Sequence, residues 1–355
     1  MRTSIGALAA LALLIAVTVT ACAVGSASDR TGPSLTGLLF VTDRADRSDD
    51  PAQPRFGGRR GPVAHGRCEV RFRDIPLTDG LARTLDTHIP TEIRDVYRVG
   101  TMPAAEFENE LRQLPADRPI VLFVHGYAYG FDRACRQGAQ LQRRLGERAT
   151  VVLFTWPSDG NPMDYGSDRG DAEWAALDFA DLLDRLITIV GPDRLRIAAH
   201  SLGSRTVLDA FTRIRLEDGI RLLADHLVLV APDYDTASFR AQWPLLSPMV
   251  RSATMYASDN DRPLGVSESL HDEPRLGQAG DSLTVIDDLQ TIDISPLGRY
   301  HPTGHEYHRY HPIAADDFIA VLLGHADAAE REGLVERRLD GRTYFELVGP
   351  ADPAE

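Results

Sequence analysis

Several residues at the ends of apolar runs in this chain have the types and the order that acyl transfer requires. Ser201 follows the run 195–199 (LRIAA) and His200, and it precedes Leu202-Gly203 and a helical pattern with Val207, Leu208, Phe211 and Ile214 on one face. Strand, sharp turn and helix in that order lift a serine hydroxyl clear of the backbone at a strand end, within reach of a base and an acyl carbon. Ala199 stands where the first glycine of G-x-S-x-G is usual, and it is small enough to keep the turn. A serine in this place also suits a plain helix N-cap, so the nucleophile reading needs partners. It needs a base, an acid that fixes the tautomer of that base, and N–H donors aimed at the oxyanion. Asp261, in Ser258-Asp259-Asn260-Asp261-Arg262 after the run 253–257, is the expected acid, with Asp259 and Asp233 as rivals at similar strand ends. His305, in Pro302-Thr303-Gly304-His305-Glu306, is the expected base. His125-Gly126-Tyr127 closes the run 120–124, and the backbone N–H groups of Tyr127 and Leu202 are the expected oxyanion donors.

The elements that must position these residues alternate between strand and helix. A continuous apolar run at 120–124 reads as a strand covered on both faces, the apolar runs 151–154, 195–199 and 227–231 read as strands beside it, and further strands are expected at 253–257 and through 283–294. Helical patterns lie between them at 132–145, 172–189 and after Ser201, and 312–323 closes the series. Earlier in the chain 38–42 and 68–72 read as strands and the polar stretch 43–66 as a long loop, 89–99 carries a weaker strand signal, and 104–114 is helical in composition. Alternation at this spacing predicts an α/β fold, a mostly parallel doubly wound sheet with helices on both faces. The carboxyl ends of such strands share one edge, where residues distant in sequence meet. The domain is expected to span 36–326. The tail 327–355 is expected to add a hairpin through 335–348 with Asp340-Gly341 at its turn.

Composition excludes more than it specifies. The 355 residues carry 38 Lys plus Arg against 52 Asp plus Glu, a formal net charge of −14, which argues against nucleic acid as a partner. Residues 1–21 read as an export signal: Arg2 is the lone charge, an apolar run covers 5–19, and small residues follow. The ending Val19-Thr20-Ala21-Cys22 resembles the lipobox of bacterial lipoproteins, which implies cleavage before Cys22 and a lipid anchor on it. Residues 22–35 then form a flexible tether, and the folded part lies outside the cytoplasm, on the periplasmic or cell-surface side of a membrane. Cys68 and Cys135 are read as buried small hydrophobes in preference to a disulfide. His301, His305, His308 and His311 cluster without the spacing of a metal helix, so neither a metal nor any other cofactor is expected.

Taken together, Val41-Thr42-Asp43-Arg44, Phe123-Val124-His125-Gly126-Tyr127, Phe154-Thr155-Trp156-Pro157-Ser158, Ala199-His200-Ser201-Leu202-Gly203, Ala231-Pro232-Asp233, Tyr256 to Arg262, and Gly304-His305 resemble the α/β-hydrolase superfamily. Within it they are similar to a bacterial group long catalogued as a domain of unknown function with a serine-esterase-like core. The resemblance implies a Ser-Asp-His site at Ser201, Asp261 and His305 and leaves the substrate open. The expected activity is hydrolysis of a small-molecule carboxylic ester or related acyl compound. Only 234–252 separates two strands at the usual place of a lid, so an open cleft is expected, bordered by the loops 127–131 and 159–168. The rival expectation is a lipoprotein that keeps the fold as a binding or scaffold module without chemistry.

Overall fold

The computed structural model describes residues 34–50, 53–75 and 87–349. The expected signal 1–21, Cys22 and the tether as far as residue 33 lie outside them. The described residues all belong to a unit that runs from Pro33 to the chain end, and none of their helices is long and apolar enough to cross a membrane.

The described residues begin with three long strands, β1 (Ser34–Asp46), β2 (Phe56–Asp74) and β3 (Glu92–Met102), and a short helix α1 (Ala104–Arg112). Alternation follows: β4 (Ile120–Val124), α2 (Phe131–Leu145), β5 (Thr150–Thr155), α3 (Tyr165–Val190), β6 (Leu195–His200), α4 (Gly203–Asp218) and β7 (Ala224–Val230). Then come α5 (Thr236–Leu246), β8 (Val250–Ala257), α6 (Arg262–His271), β9 (Gln290–Asp293), α7 (Tyr307–Tyr310), α8 (Pro312–Leu322), β10 (Leu334–Leu339) and β11 (Arg342–Leu347). They form one 11-stranded sheet in the order β10-β11-β9-β8-β7-β6-β4-β5-β1-β2-β3. The run from β11 to β1 is parallel throughout, and antiparallel pairs close both edges.

All five residues of β4 are buried, because helices cover both faces of the sheet. Strand alternation divides the core accordingly. Leu122, Val124, Val152, Phe154, Ile197 and Ala199 face α3 and α4, whereas Val121, Phe123, Val151, Leu153 and Ala198 face α2 and α8. Strand β4 has β5 on one side and β6 on the other, so the order of the strands reverses there. The carboxyl ends of β4 and β6 therefore flank the crevice in which sheets of this kind hold their ligands.

Three expectations change. The polar stretch 43–66 is mostly strand: β1 continues to Asp46 and β2 starts at Phe56. Its Arg- and Gly-rich positions face solvent or a neighbouring strand, so they mask the alternation that becomes plain at Cys68, Val70 and Phe72. The apolar run 283–289 is irregular, because Leu283 and Val285 bury against Ala257 and Ala279 and leave only Gln290–Asp293 to pair with β8. Helix α3 starts at Tyr165, two turns before its apolar period begins. The C-terminal hairpin is β10 and β11, turning at Asp340-Gly341, and β11 pairs in parallel with β9. Cys68 and Cys135 are free thiols, both buried.

Candidate active site

Ser201 comes directly after β6 with φ 54°, a left-handed backbone that L-residues other than asparagine and aspartate rarely adopt. Its amide is held by Val230 O at 2.9 Å, and its carbonyl accepts from Ser204 and Asp233 at 3.0 and 3.2 Å. Within this turn the left-handed position is that of the serine. Ala199 sits inside β6, paired with Val124 and Leu229, in ordinary strand conformation, so no glycine is needed there. Gly126 meets the serine from the next strand. A Cβ on it would lie 2.9 Å from both the Ser201 Cβ and the His200 Nδ1, so the close approach of the two turns requires glycine.

Asp261 N-caps α6, its Oδ1 accepting from Leu264 N–H at 3.1 Å. Its Oδ2 accepts from His305 Nδ1–H at 2.7 Å. Two loops make that bond possible. Arg262 N–H donates to Thr303 O at 3.1 Å, and Gly304, at φ 70°, passes so near Asn260 that a Cβ would lie 2.1 Å from the Asn260 carbonyl oxygen. Burial disfavours the imidazolium of His305, yet the charge and hydrogen bond of Asp261 outweigh it, and the pKa rises above 6.5. Burial likewise pushes the Asp261 carboxyl up, with His305 pulling the other way. The rival acids are otherwise engaged. Asp259 is exposed, and Asp233 accepts from Arg275 Nε, Ser267 Oγ and Tyr165 O–H, each at 2.8 Å.

The N–H groups of Tyr127 and Leu202 donate to no acceptor among the described residues, which leaves both free for an incoming oxygen. The loop that carries Tyr127 is fixed by residues that sequence reasoning did not single out for any role. Ala128 lies at φ 58° and donates to Asp168 Oδ2 at 3.0 Å, while Tyr129 N–H donates to Ser158 Oγ at 2.9 Å and that hydroxyl donates in turn to Asp168 Oδ2. The centre of the network is Arg44, which is 1% exposed. Its guanidinium donates to Tyr129 O (2.6 Å), Ser158 O (2.7 Å), Gly57 O (3.0 Å) and Thr155 Oγ1 (3.0 Å). His125 stacks between Trp156 and Tyr129, its Nδ1–H on Gly126 O and its Nε2 facing Thr155 Oγ1. Burial and the nearby Arg44 hold that ring neutral. Val41-Thr42-Asp43-Arg44 and Trp156-Pro157-Ser158 were visible as motifs, but nothing local to either string says that it braces a loop after another strand.

On the far side, Glu306 joins the histidine loop to the same structure. It accepts from Tyr129 O–H and from Arg309 Nη1 at 2.7 Å, with Arg133 at 3.4 Å. His200 donates to His305 O at 3.3 Å, and its ring lies 4.7 Å from that of His305 and 4.6 Å from that of His308. The other histidines of the cluster are spread: His308 faces Gln137 and His301 faces Thr303. Among the described residues no three His, Cys, Asp or Glu side chains converge as metal ligands. Tyr127 O–H bonds to Pro162 O, and its ring meets Tyr165 at 5.3 Å, so the two loops expected to border the cleft are joined. Between β7 and β8, Phe239, Trp243 and Leu246 sink α5 into the core.

Residues 103–312 match the family described as alpha/beta hydrolase of unknown function, DUF900. The chain belongs to that family. The curated proteins give no match. Among solved structures, an esterase of Pyrobaculum calidifontis is similar at 14% identity and TM-score 0.36, over 74% of this chain and 82% of that one. Aspergillus fumigatus lipase B aligns at 13% and 0.41, over 65% and 57%. A predicted CIB-like hydrolase from Thermoplasma acidophilum aligns at 14% and 0.32, over 65% and 90%. The α/β-hydrolase fold expected from the sequence is the fold observed.

Proposed function

We propose that this member of the family is a serine hydrolase acting on a carboxylic ester through an acyl-enzyme. The observation that carries the reading is the 2.7 Å bond between His305 Nδ1 and Asp261, made on the loops that flank a serine held in left-handed backbone. With Nδ1–H committed to Asp261, His305 presents Nε2 as a proton acceptor. Ser201 Oγ attacks the acyl carbon while Nε2 takes its proton. The tetrahedral oxyanion accepts from the free N–H groups of Tyr127 and Leu202, each contributing on the order of 10² to 10³ in rate. Collapse expels the alcohol, which recovers the proton from His305. Water then repeats the sequence on the acyl-serine and releases the carboxylic acid.

The fixed α5 and the joined loops at Tyr127 and Tyr165 support a small or water-exposed acyl substrate over a long chain sheltered by a lid. The signal 1–21 and a lipid on Cys22 would hold the enzyme outside the cytoplasm on a membrane. Incorporation of labelled palmitate that Cys22→Ser abolishes is the expected sign of that anchor, and incorporation by both forms would remove it. The chemistry is tested with a fluorophosphonate probe on the full chain. Wild type labels covalently, whereas Ser201→Ala and His305→Ala each lose about 10⁶ in turnover, as does the double variant. An unlabelled wild type would favour the reading of a binding or scaffold module.

A further inference from the structure

Helix α2 places Arg133, Arg136, Gln140 and Arg143 at spacings of three, four and three, on one face. Strand β3 brings Arg94 to that face and α7 brings Arg309. Gln140 Oε1 accepts from Arg94 Nη1 at 2.5 Å and from Arg309 Nε and Nη2 at 3.1 and 3.0 Å, so two guanidiniums are aimed at one neutral oxygen, and Glu92 is shared between Arg94 at 3.3 Å and Arg143 at 3.1 Å. Glu306 repeats the arrangement on the other side of Arg309, taking Arg309 and Arg133 on the same carboxylate oxygen. A cavity of about 270 Å³ opens between them, lined by Arg94, Arg133, Arg136, Arg309 and Tyr310 and by no carboxylate. It shares Arg94, Arg309 and Tyr310 with a neighbouring cavity of about 440 Å³ that adds Arg143 and Arg144, where Glu92 is the one acid in the lining.

Crowded like charges are costly, and their mutual effect is visible. Burial and then Arg309 lower the pKa of Arg94, and His88 at the rim is pushed down to about 4 by burial, His301, Arg94 and Arg309. Arg136 lines the cavity and, among the described residues, makes no hydrogen bond and no salt bridge within 4.0 Å, although Asp132 one turn back on α2 feels its charge. A concavity with this excess of positive charge, in a chain of net charge −14, focuses its field on anions. A single guanidinium fork suits carboxylate and phosphate alike, but several around one cavity can divide among them the three or more oxygens of a tetrahedral oxyanion, where a carboxylate offers two. The geometry points to a second ligand site, distinct from the serine site, that binds a multiply charged oxyanion of the phosphate type through Arg94, Arg136 and Arg309. The inference does not rest on the hydrolase reading.

Isothermal titration of the full chain with inorganic pyrophosphate tests it. Saturable binding that weakens with salt is expected, with affinity down about tenfold in Arg136→Gln and further in Arg136→Glu, while labelling at Ser201 is unchanged in both. A free phosphate and a lipid headgroup would present the same chemistry. Binding to glycerol phosphate in solution assigns the former, and flotation with phosphatidic acid vesicles but no response to glycerol phosphate assigns the latter. No binding to pyrophosphate at millimolar concentration together with no flotation overturns the site, and so does equal binding by wild type and Arg136→Glu.

Discussion

Replacing Asp261 by asparagine separates the two tasks of that side chain. One carboxylate oxygen caps α6 through Leu264 N–H at 3.1 Å, and an amide oxygen serves there about equally well. The other stands 2.7 Å from His305 Nδ1, and the amide puts an N–H in its place. Two donors cannot face each other at that distance, so His305 must move its proton from Nδ1 to Nε2. A protonated Nε2 accepts nothing from Ser201, and the expected loss in labelling rate is about 10⁴-fold. The pH profile changes as well. In wild type the base form of His305 develops above the ordinary histidine range, because Asp261 outweighs the effect of burial. Labelling therefore rises with pH through a midpoint above 6.5. In Asp261→Asn the counter-charge is gone and burial remains, so the residual activity has its midpoint at lower pH. The assay is the second-order rate of fluorophosphonate labelling of the full chain between pH 5 and 9, with thermal melting of each variant alongside. Asp261→Ala, which also loses the cap, should cost about 1 kcal/mol of stability that Asp261→Asn does not. A labelling rate within tenfold of wild type in a folded Asp261→Asn protein would refute the assignment of Asp261, and an unmoved midpoint would refute its electrostatic part.

Two other substitutions probe the scaffold. Gly126→Ala sets a methyl 2.9 Å from the Ser201 Cβ and should displace the turn that carries the Tyr127 N–H, lowering ester turnover on the order of 10²-fold with little change in far-UV circular dichroism. An unaltered rate would mean that Tyr127 donates nothing to the transition state. Asp43 is fully buried with neither carboxylate oxygen hydrogen-bonded to a partner, and burial, with Asp178 beside it, raises its pKa to about 7. The folded protein then holds a proton that the unfolded chain has released, so stability falls as pH rises from about 4 to about 7. Asp43→Asn should be more stable than wild type at pH 8 and should lose that advantage below pH 4, which denaturant titration at the two pH values will show.

The legible parts of this chain were those whose signal is local. Strand 120–124 is apolar without interruption and 195–199 is apolar but for Arg196, because helices cover both faces, and the turns that end them carry Gly126 and Ser201 within a residue or two. Asp261 and His305 followed from their place after later strands, and Gly304 was in view beside His305 without its role being apparent. What escaped was non-local. Arg44 reads as one arginine in a polar stretch, and only the approach of β1 to β5 turns it into the brace of a loop 81 residues later. Glu306 reads as a polar neighbour of His305, although Tyr129 and Arg309 make it a fixed anion. The strands within 43–66 were hidden because there β1 and β2 pair only with each other, past the registers of β5 and β3, and a ribbon open to solvent tolerates arginine and glycine; the run 283–289 misled because burial of its leucine and valine needs no ladder.

Arg44 also bears on how much of the chain the proposed site needs. The part matched to the family starts at residue 103, whereas the guanidinium that holds the carbonyls of Tyr129 and Ser158 comes from a strand well upstream. A protein trimmed to the matched segment would keep Ser201, Asp261 and His305 and lose the group that shapes the turn opposite them. The boundaries of the recognised sequence and of the unit that shapes the proposed site therefore differ, and truncations or gene fusions drawn to the shorter limits would separate inheritance of the proposed catalytic residues from inheritance of their geometry.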